Sequence, residues 1–392
     1  MSVSNNTKHK LAPPYPQDNV VPIRSSQSIE QKTGMPEMDR SGPTISRYEF
    51  WPSWVFYTPV LVQSLWHSLK YRSIGLPLIA NPSIKLSGMV GESKKDILNL
   101  AGKYAQQWIL PFNTLRKNSS DINVQLRDAL EAMEQGKLTF PVVAKPDKGC
   151  RGAGVRLIHN QIQLVDYIER FPIGADYLLQ KKSDFEAEVG VFYIRYPGEQ
   201  KGQVFSITLK YAPYVRGDGV KTLAQLIERD PRAGQLSHIY QERHKDKLDM
   251  VIAKDVDYRL AFAGSHSRGS IFKNGNNYIS QALTEKLDSI FDDFDGFYYG
   301  RLDIKFKNIE QLMSGEDFQI IEINGASSEA THIWDSKTPL KEIFSTLLFQ
   351  YRTLYKIGYL QKKSGHNPPS IRELFKALAE ENALVKQYPS TD

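Results

Sequence analysis

Apolar residues along this chain fall into two periods. Alternation of period two predicts strands at 140–145, 154–158, 177–181, 188–195, 204–210, 300–306 and 318–323. Helical spacing predicts helices at 161–170, 223–229 and 284–294 between them, at 92–110 and 121–135 before them, and at 340–355 and 371–385 after them. Strands interleaved with helices in this way fit an α+β or α/β-like enzyme better than a bundle or a sandwich. Residues 1–47 break both periods: rich in Ser, Asn, Gln and Pro, they hold too few large apolar side chains to offset the entropy of ordering, and read as a disordered tail.

The pattern changes at Tyr48. In YEFWPSWVFYTPVLVQSLWHSLKYRS no Asp, Glu, Lys or Arg occurs between Phe50 and Leu69, a length that could cross a bilayer. Pro52 and Pro59, with Ser53, Thr58, Gln63, Ser64, His67 and Ser68, dilute it below a spanning helix. The preferred reading is a buried or substrate-facing helix, with membrane-surface association through residues 50–69 as the alternative.

Length and charge narrow the class. At roughly 150 residues per domain, 392 residues make two to three globular units. Fifty basic and 44 acidic side chains leave a net charge of +6, but no five like charges adjoin and no zinc-finger spacing occurs, so no nucleic-acid partner is expected. A single cysteine, Cys150, excludes an intrachain disulfide, and the opening residues lack the apolar run of a signal peptide. Both point to a reducing, cytoplasmic location.

Two constellations carry chemistry. In FPVVAKPDKGCRGAGVRLI, residues 140–158, a strand ends in Lys145 and is followed by Gly149, Gly152 and Gly154 before a second strand. A glycine-rich turn lets backbone N–H groups approach an anion while the lysine adds a point charge, so phosphate is the natural ligand. Walker and dinucleotide patterns are absent, and the bland alternative is a flexible hairpin loop with solvated Lys148 and Arg151. In YYGRLDIKF, residues 298–306, strand alternation puts Arg301, Asp303 and Lys305 on one face. In DFQIIEINGASSEATH, residues 317–332, Ile321 and Ile323 would face the core while Glu322 and Asn324 share the other face. Two carboxylates and an amide oxygen are hard donors suited to Mg²⁺. The alternative is an amphipathic strand pair with ordinary ion pairing on a solvated face.

Taken together and in this order, Lys145 with its glycine loop, the RxD strand and the ExN strand resemble the ATP-grasp superfamily of carboxylate–amine ligases, such as D-alanine–D-alanine ligase. The segment VRGDGVKTLAQLI, residues 215–227, also resembles the GDGxxTxxxLI segment of cyanophycin synthetase. The resemblance covers roughly residues 121–335. It implies two α+β subdomains clasping ATP, a smaller lid-like one at 121–182 and a metal-binding one at 183–335. Residues 48–120 would be a substrate-side or packing region and residues 336–392 C-terminal helices.

The resemblance also implies roles. Lys145 would meet the α and β phosphates, and the loop of Gly149, Gly152 and Gly154 would close over the triphosphate. Gln180, Lys181 and Lys182 would hold adenine at the hinge, Glu186 or Glu188 the ribose, and Lys210 the γ-phosphate. Asp303, Glu322 and Asn324 would bind Mg²⁺, with Mn²⁺ as a substitute. Arg301 would stabilise the transferred phosphoryl group, assisted by Arg268. The reaction implied joins a small-molecule carboxylate to an amine through an acyl phosphate, releasing ADP and phosphate. Three departures stand out. Gln180 replaces an acidic hinge residue, keeping a carbonyl acceptor for adenine but losing the charge. Cys150 lies in the loop where Ser or Gly is commoner. NGASSEATH replaces the usual segment after ExN, leaving Ser327, Ser328, Glu329 and His332 as candidates for the acceptor end. The competing functions are a non-catalytic nucleotide-binding protein and a peripheral membrane or nucleic-acid binding protein.

Overall fold

Eleven strands form three antiparallel sheets among the described residues of this computed structural model, which are 29–46, 48–49, 51–149, 152–266 and 269–391. In chain order they are β1 Phe112–Arg116, β2 Val142–Pro146, β3 Arg156–Ile158, β4 Asp176–Lys181, β5 Ala187–Ile194, β6 Gln203–Tyr211, β7 Tyr214–Arg216, β8 Asp257–Arg259, β9 Ile271–Asn274, β10 Tyr299–Phe306 and β11 Phe318–Asn324. The first sheet has the order β1-β4-β2-β3, the second β11-β10-β5-β6-β9, and β7 pairs with β8 as a ribbon. The class is α+β, as the alternation of periods predicts.

Both larger sheets bury one face beneath helices, and the second buries part of its other face too, where Phe192, Ile194 and Tyr299 pack with Leu354 and Ile357. Helices Ile122–Gln135 and Gln161–Arg170 cover the first around Ala129, Val142, Ala144, Leu164, Tyr167 and Leu179. The second sheet rests Val189, Val191, Ile207, Leu302, Ile304 and Phe306 against the helix Gln281–Asp292. Removing each such side chain from water contributes about 1.5–3 kcal/mol. Helix starts follow their caps: Asn160 accepts from the Gln163 N–H, and Thr222 with Gln225 and Ser370 with Glu373 form capping boxes.

Several expectations are corrected. The helix expected at 92–110 is only Lys94–Leu98 followed by a 3₁₀ turn at Ala105–Trp108. Asp293 breaks it, for its carboxylate accepts from the amides of Tyr104 and Ala105 and presses against Gly102, where a Cβ would lie 2.1 Å from Oδ1. Strand β1 joins the first sheet, so that layer begins at Phe112 and not at residue 121. The helix expected at 340–355 runs Leu340–Lys363, and within it Gly358 is a point of close approach, where a Cβ would sit 2.0 Å from the Leu76 carbonyl oxygen. Of the tail read over 1–47, residues 29–46 are built into the molecule, with Met35 in the main core and the Pro36 carbonyl accepting from Tyr211. The remainder of that tail lies outside the described residues.

Residues 58–70 are helical, Thr58–Lys70, but not buried as preferred. Val60 and His67 face inward, His67 stacking on Tyr355 of the helix Leu340–Lys363 at 5.4 Å, while the opposite face is open to solvent. Among the described residues no helix is long and apolar enough to cross a membrane.

Candidate functional site

Antiparallel register sets the centre of the site. Asp303 on β10 lies opposite Glu322 on β11, and Arg301 lies opposite Asn324. Between Asp303–Glu322 and Ile304–Ile320 the register shifts, leaving Ile321 as the extra residue of a bulge. Ile321 therefore does not join Ile320 and Ile323 in the core, contrary to simple alternation. Its carbonyl is instead aimed at the first sheet, where it accepts from Lys145 Nζ at 2.9 Å.

Lys145, at the end of β2, is buried and also donates to Gln180 Oε1 at 3.0 Å. Burial pushes its ammonium down to about 8; the nearby Lys94 adds to the drop, and Glu322 opposes it. Gln180, expected at the hinge, gives its carbonyl to Lys145 and leans its amide nitrogen on the carbonyls of Leu110 and Ile321, so in this structure it holds the lysine in place. Lys181 and Lys182 are paired with Asp184 and Glu186, at 2.9 and 2.8 Å.

On the second sheet Lys210 Nζ lies 2.9 Å from Asp303 Oδ1 and 3.1 Å from Glu188 Oε1, and Lys305 holds the other oxygen of Glu188 at 2.9 Å. Burial favours the neutral carboxyl of Glu188, but Lys305 and Lys210 outweigh it and hold the group at about 2. Burial opposes charge on Lys210 too, yet Asp303 and Glu188 keep its ammonium above the ordinary value. Arg301 Nε donates to Asp303 Oδ1 at 3.1 Å and its terminal nitrogen to the Glu329 carbonyl at 3.3 Å. Gly190, opposite Asp303, leaves the room these side chains need, since a Cβ there would stand 3.1 Å from Arg301 Cδ.

Three groups that the sequence reading passed over complete the site. Lys94, at the start of the short helix Lys94–Leu98, reaches Glu322 at 3.4 Å and donates to the Gly149 carbonyl at 2.9 Å. Burial works against the carboxylate of Glu322, but Lys94, Lys145, Lys210 and Arg301 together hold its pKa below the ordinary value. Glu92 accepts from the Gly325 N–H at 3.0 Å, and burial raises its carboxyl to about 7. Asp147, just beyond β2, accepts from Ser93 Oγ and the Lys95 N–H and fastens the short helix to the glycine loop. Helical spacing over 92–110 puts Glu92 and Lys94 on an element without turning them toward the cleft, and only the pairing of ESK with a charged strand end could have drawn attention to these residues.

The glycine loop closes an antiparallel pair, β2 with β3, as expected. Gly149, Gly152 and Gly154 have φ of +142°, +70° and +69°, values side chains resist. The C-terminus grips this loop, Thr391 accepting from the Gly154 N–H at 3.1 Å and donating to the Gly152 carbonyl at 2.9 Å. Arg268, Cys150 and Arg151 lie outside the described residues. Of the acceptor-end candidates, Ser328 bonds the Gly325 carbonyl and Glu329 accepts from Tyr57 at 2.6 Å. Ser327 is exposed. His332 is turned away into the core, with Nδ1 2.6 Å from Ser206 Oγ and its pKa pushed by burial to about 4. A cavity of about 940 Å³ runs along Glu186, Glu188, Lys210, Arg259 and Lys305, walled on the far side by residues 29–44.

Divalent-ion chemistry suits the donors in part. Among the described residues no three His, Cys, Asp or Glu side chains converge tightly enough to hold an ion unaided. Asp303, Glu322 and Asn324 nonetheless offer hard oxygens on facing positions, and the buried amide nitrogen of Asn324 has no hydrogen-bond partner, so the amide is free to turn its oxygen inward. Such a set fits an ion that arrives with phosphate oxygens of its own.

Fold and site thus define an α+β molecule with a cation-lined cleft between two antiparallel sheets. No protein-family model matches the sequence, nor does any curated protein. Solved structures to which the chain is similar include D-alanine–D-alanine ligase from Bacillus anthracis, at 12% identity over 71% of this chain and 73% of that one, TM-score 0.37. VanG D-Ala:D-Ser ligase from Enterococcus faecalis matches at 14% identity over 69% and 62%, TM-score 0.38. A bifunctional glutathione synthetase from Pasteurella multocida matches at 15% identity over 67% and 38%, TM-score 0.32. The chain spans less than two thirds of the length of the last two.

Proposed function

We propose that the chain is an ATP-dependent ligase of the ATP-grasp kind, which activates a small-molecule carboxylate as an acyl phosphate and joins it to an amine. The supporting observation is the meeting of Asp303 and Glu322 across β10 and β11 under a canopy of Lys94, Lys145, Lys210 and Arg301. A carboxylate can approach a triphosphate only where such charge is neutralised and water is kept out.

In this reading the first sheet and its glycine loop form the lid and the second sheet the floor. Lys145 binds the α and β phosphates, Lys210 the γ-phosphate, and Glu188 or Glu186 the ribose. The hinge residues Lys181 and Lys182 lie on the adenine side. Asp303, Glu322 and Asn324 would hold Mg²⁺, which when bound supplies further neutralisation of the polyanion. An oxygen of the substrate carboxylate bonds to the γ-phosphorus as the bond to ADP breaks, the electron pair leaving on ADP. Arg301, already aimed along β10 beside Asp303, steadies the charge that develops there. The amine nitrogen then attacks the acyl carbon, phosphate departs with the bonding pair, and the nitrogen gives its proton to solvent.

Glu322→Gln and Asp303→Asn should each lower ATP turnover by about a hundredfold or more in a chain that stays folded at the assay temperature, Asp303→Asn with a lower melting temperature because Lys210 and Arg301 lose a carboxylate partner. Phosphate release from Mg-ATP across a panel of amino acids and small peptides gives the measurement. Retained turnover in both variants contradicts the metal assignment. Binding of Mg-ATP with no phosphate release from any mixture replaces the ligase by a nucleotide-binding protein.

A further inference from the structure

The helix Thr58–Lys70 is turned inside out. Its inward side carries His67, Gln63, Ser64 and Ser68 together with Val60, and Ser68 Oγ meets Tyr355 at 2.8 Å. The outward side is apolar: Leu61, Val62, Leu65, Trp66 and Leu69 are 58%, 62%, 60%, 64% and 76% exposed. Their spacing of three and four residues sets them on one face. Just before the helix, Trp51, Trp54 and Val55 are exposed as well, Trp54 at 74%. Eight large apolar side chains exposed along residues 51–69 are more than a soluble surface ordinarily carries on so short a segment.

We propose that this face docks on an anionic lipid bilayer, the helix lying in the plane of the interface. Thirteen residues at about 1.5 Å each reach about 20 Å, well short of a hydrocarbon core of about 30 Å, so the helix rests on the surface and does not cross. Indole rings favour the boundary between headgroups and acyl chains; Trp66 stands on this face, and Trp51 and Trp54 are exposed in the segment that leads into it. Charge selects the partner. The stretch from Phe50 to Leu69 holds no acidic side chain, and exposed Lys70 and Arg72 follow at its end. Arg352, exposed on the neighbouring helix, is close enough that it and Lys70 add to the burial that depresses the His67 imidazole. Cations around an apolar stripe complement lipid phosphates. A second copy of the same helix would bring cations to cations with no carboxylate on that helix to receive them. The surface stands independently of the ligase reading, since none of these side chains belongs to the cleft.

The test is cosedimentation of the full chain with vesicles of equal parts phosphatidylcholine and phosphatidylglycerol, against phosphatidylcholine alone. Binding is expected to be about tenfold or more tighter on the anionic vesicles, with tryptophan emission quenched by brominated acyl chains. Leu61→Gln with Leu65→Gln, and separately Lys70→Glu with Arg72→Glu, should each lose about tenfold in affinity while the melting temperature and ATP turnover stay unchanged. No sedimentation with either vesicle overturns the proposal, as does binding that the leucine pair leaves untouched. A dimer in light scattering that Leu61→Gln with Leu65→Gln dissolves, in a chain that ignores vesicles, assigns the face to a second copy instead.

Discussion

A lysine kept dry must weigh its charge against its neighbours, and Lys145 near pH 8 shows which way the balance falls. Between about 8 and its ordinary value of 10.5 the folded chain binds fewer protons here than the unfolded one, so the ligand-free protein gains stability from this residue as pH rises through that window. A bound polyphosphate reverses the penalty by stabilising the ammonium. Mg-ATP binding at pH 8 should therefore take up roughly half a proton through Lys145. Titration calorimetry in two buffers of different ionisation enthalpy checks this: heats that do not depend on the buffer would contradict it. Lys145, Asp303 and Glu322 were legible in the sequence because strand alternation fixes which way they point. Lys94, Glu92 and Asp147 were not, for their approach to the cleft depends on how a five-residue helix docks, and no local pattern encodes that.

Elements with capping signals were legible almost to the residue, as the helices Gln161–Arg170, Leu223–Arg229 and Ile371–Val385 show. Elements shaped by distant contacts were not. The helix expected to end at 355 runs on past Gly358, where the missing side chain permits two backbones to touch, and helical spacing over 92–110 yielded to the carboxylate of Asp293. The bulge at Ile321 is likewise invisible in a run of three isoleucines interrupted by one glutamate, although it supplies the carbonyl that holds Lys145. Local constraint can be tested in the glycine loop. A Cβ on Gly154 would lie 2.7 Å from Pro146 Cγ at a φ of +69°. Gly154→Ala should cost about 1–3 kcal/mol in chemical denaturation and speed hydrogen exchange of the amide at 154 that Thr391 holds. An unchanged denaturation midpoint would show that the loop relaxes freely.

Across the whole molecule each of the two larger sheets has a core of its own, although Leu178 of β4 and Phe112 of β1 pack into that of the second sheet, and the contacts that join the sheets at the cleft are polar. Lys145 crosses from β2 to the Ile321 carbonyl on β11, and Lys94 spans from the Gly149 carbonyl on the loop of the first sheet to Glu322 on the second. Lys94 thus touches both walls where a polyanion would enter, and its charge is retained because Glu322, Glu92 and Asp147 outweigh the burial that opposes it. Removing that charge leaves Glu322 with fewer cations and the Gly149 carbonyl without a donor. Lys94→Met should lower stability by about 1–3 kcal/mol and raise the KM for Mg-ATP by about tenfold or more, since it loosens the lid and weakens anion binding together. Lys103→Met, at an exposed position with the same formal charge change, should do neither. Denaturation midpoints and steady-state kinetics on the two variants separate a clasp centred on Lys94 from a general effect of net charge, and equal behaviour of the pair would leave Lys94 as no more than one cation among many.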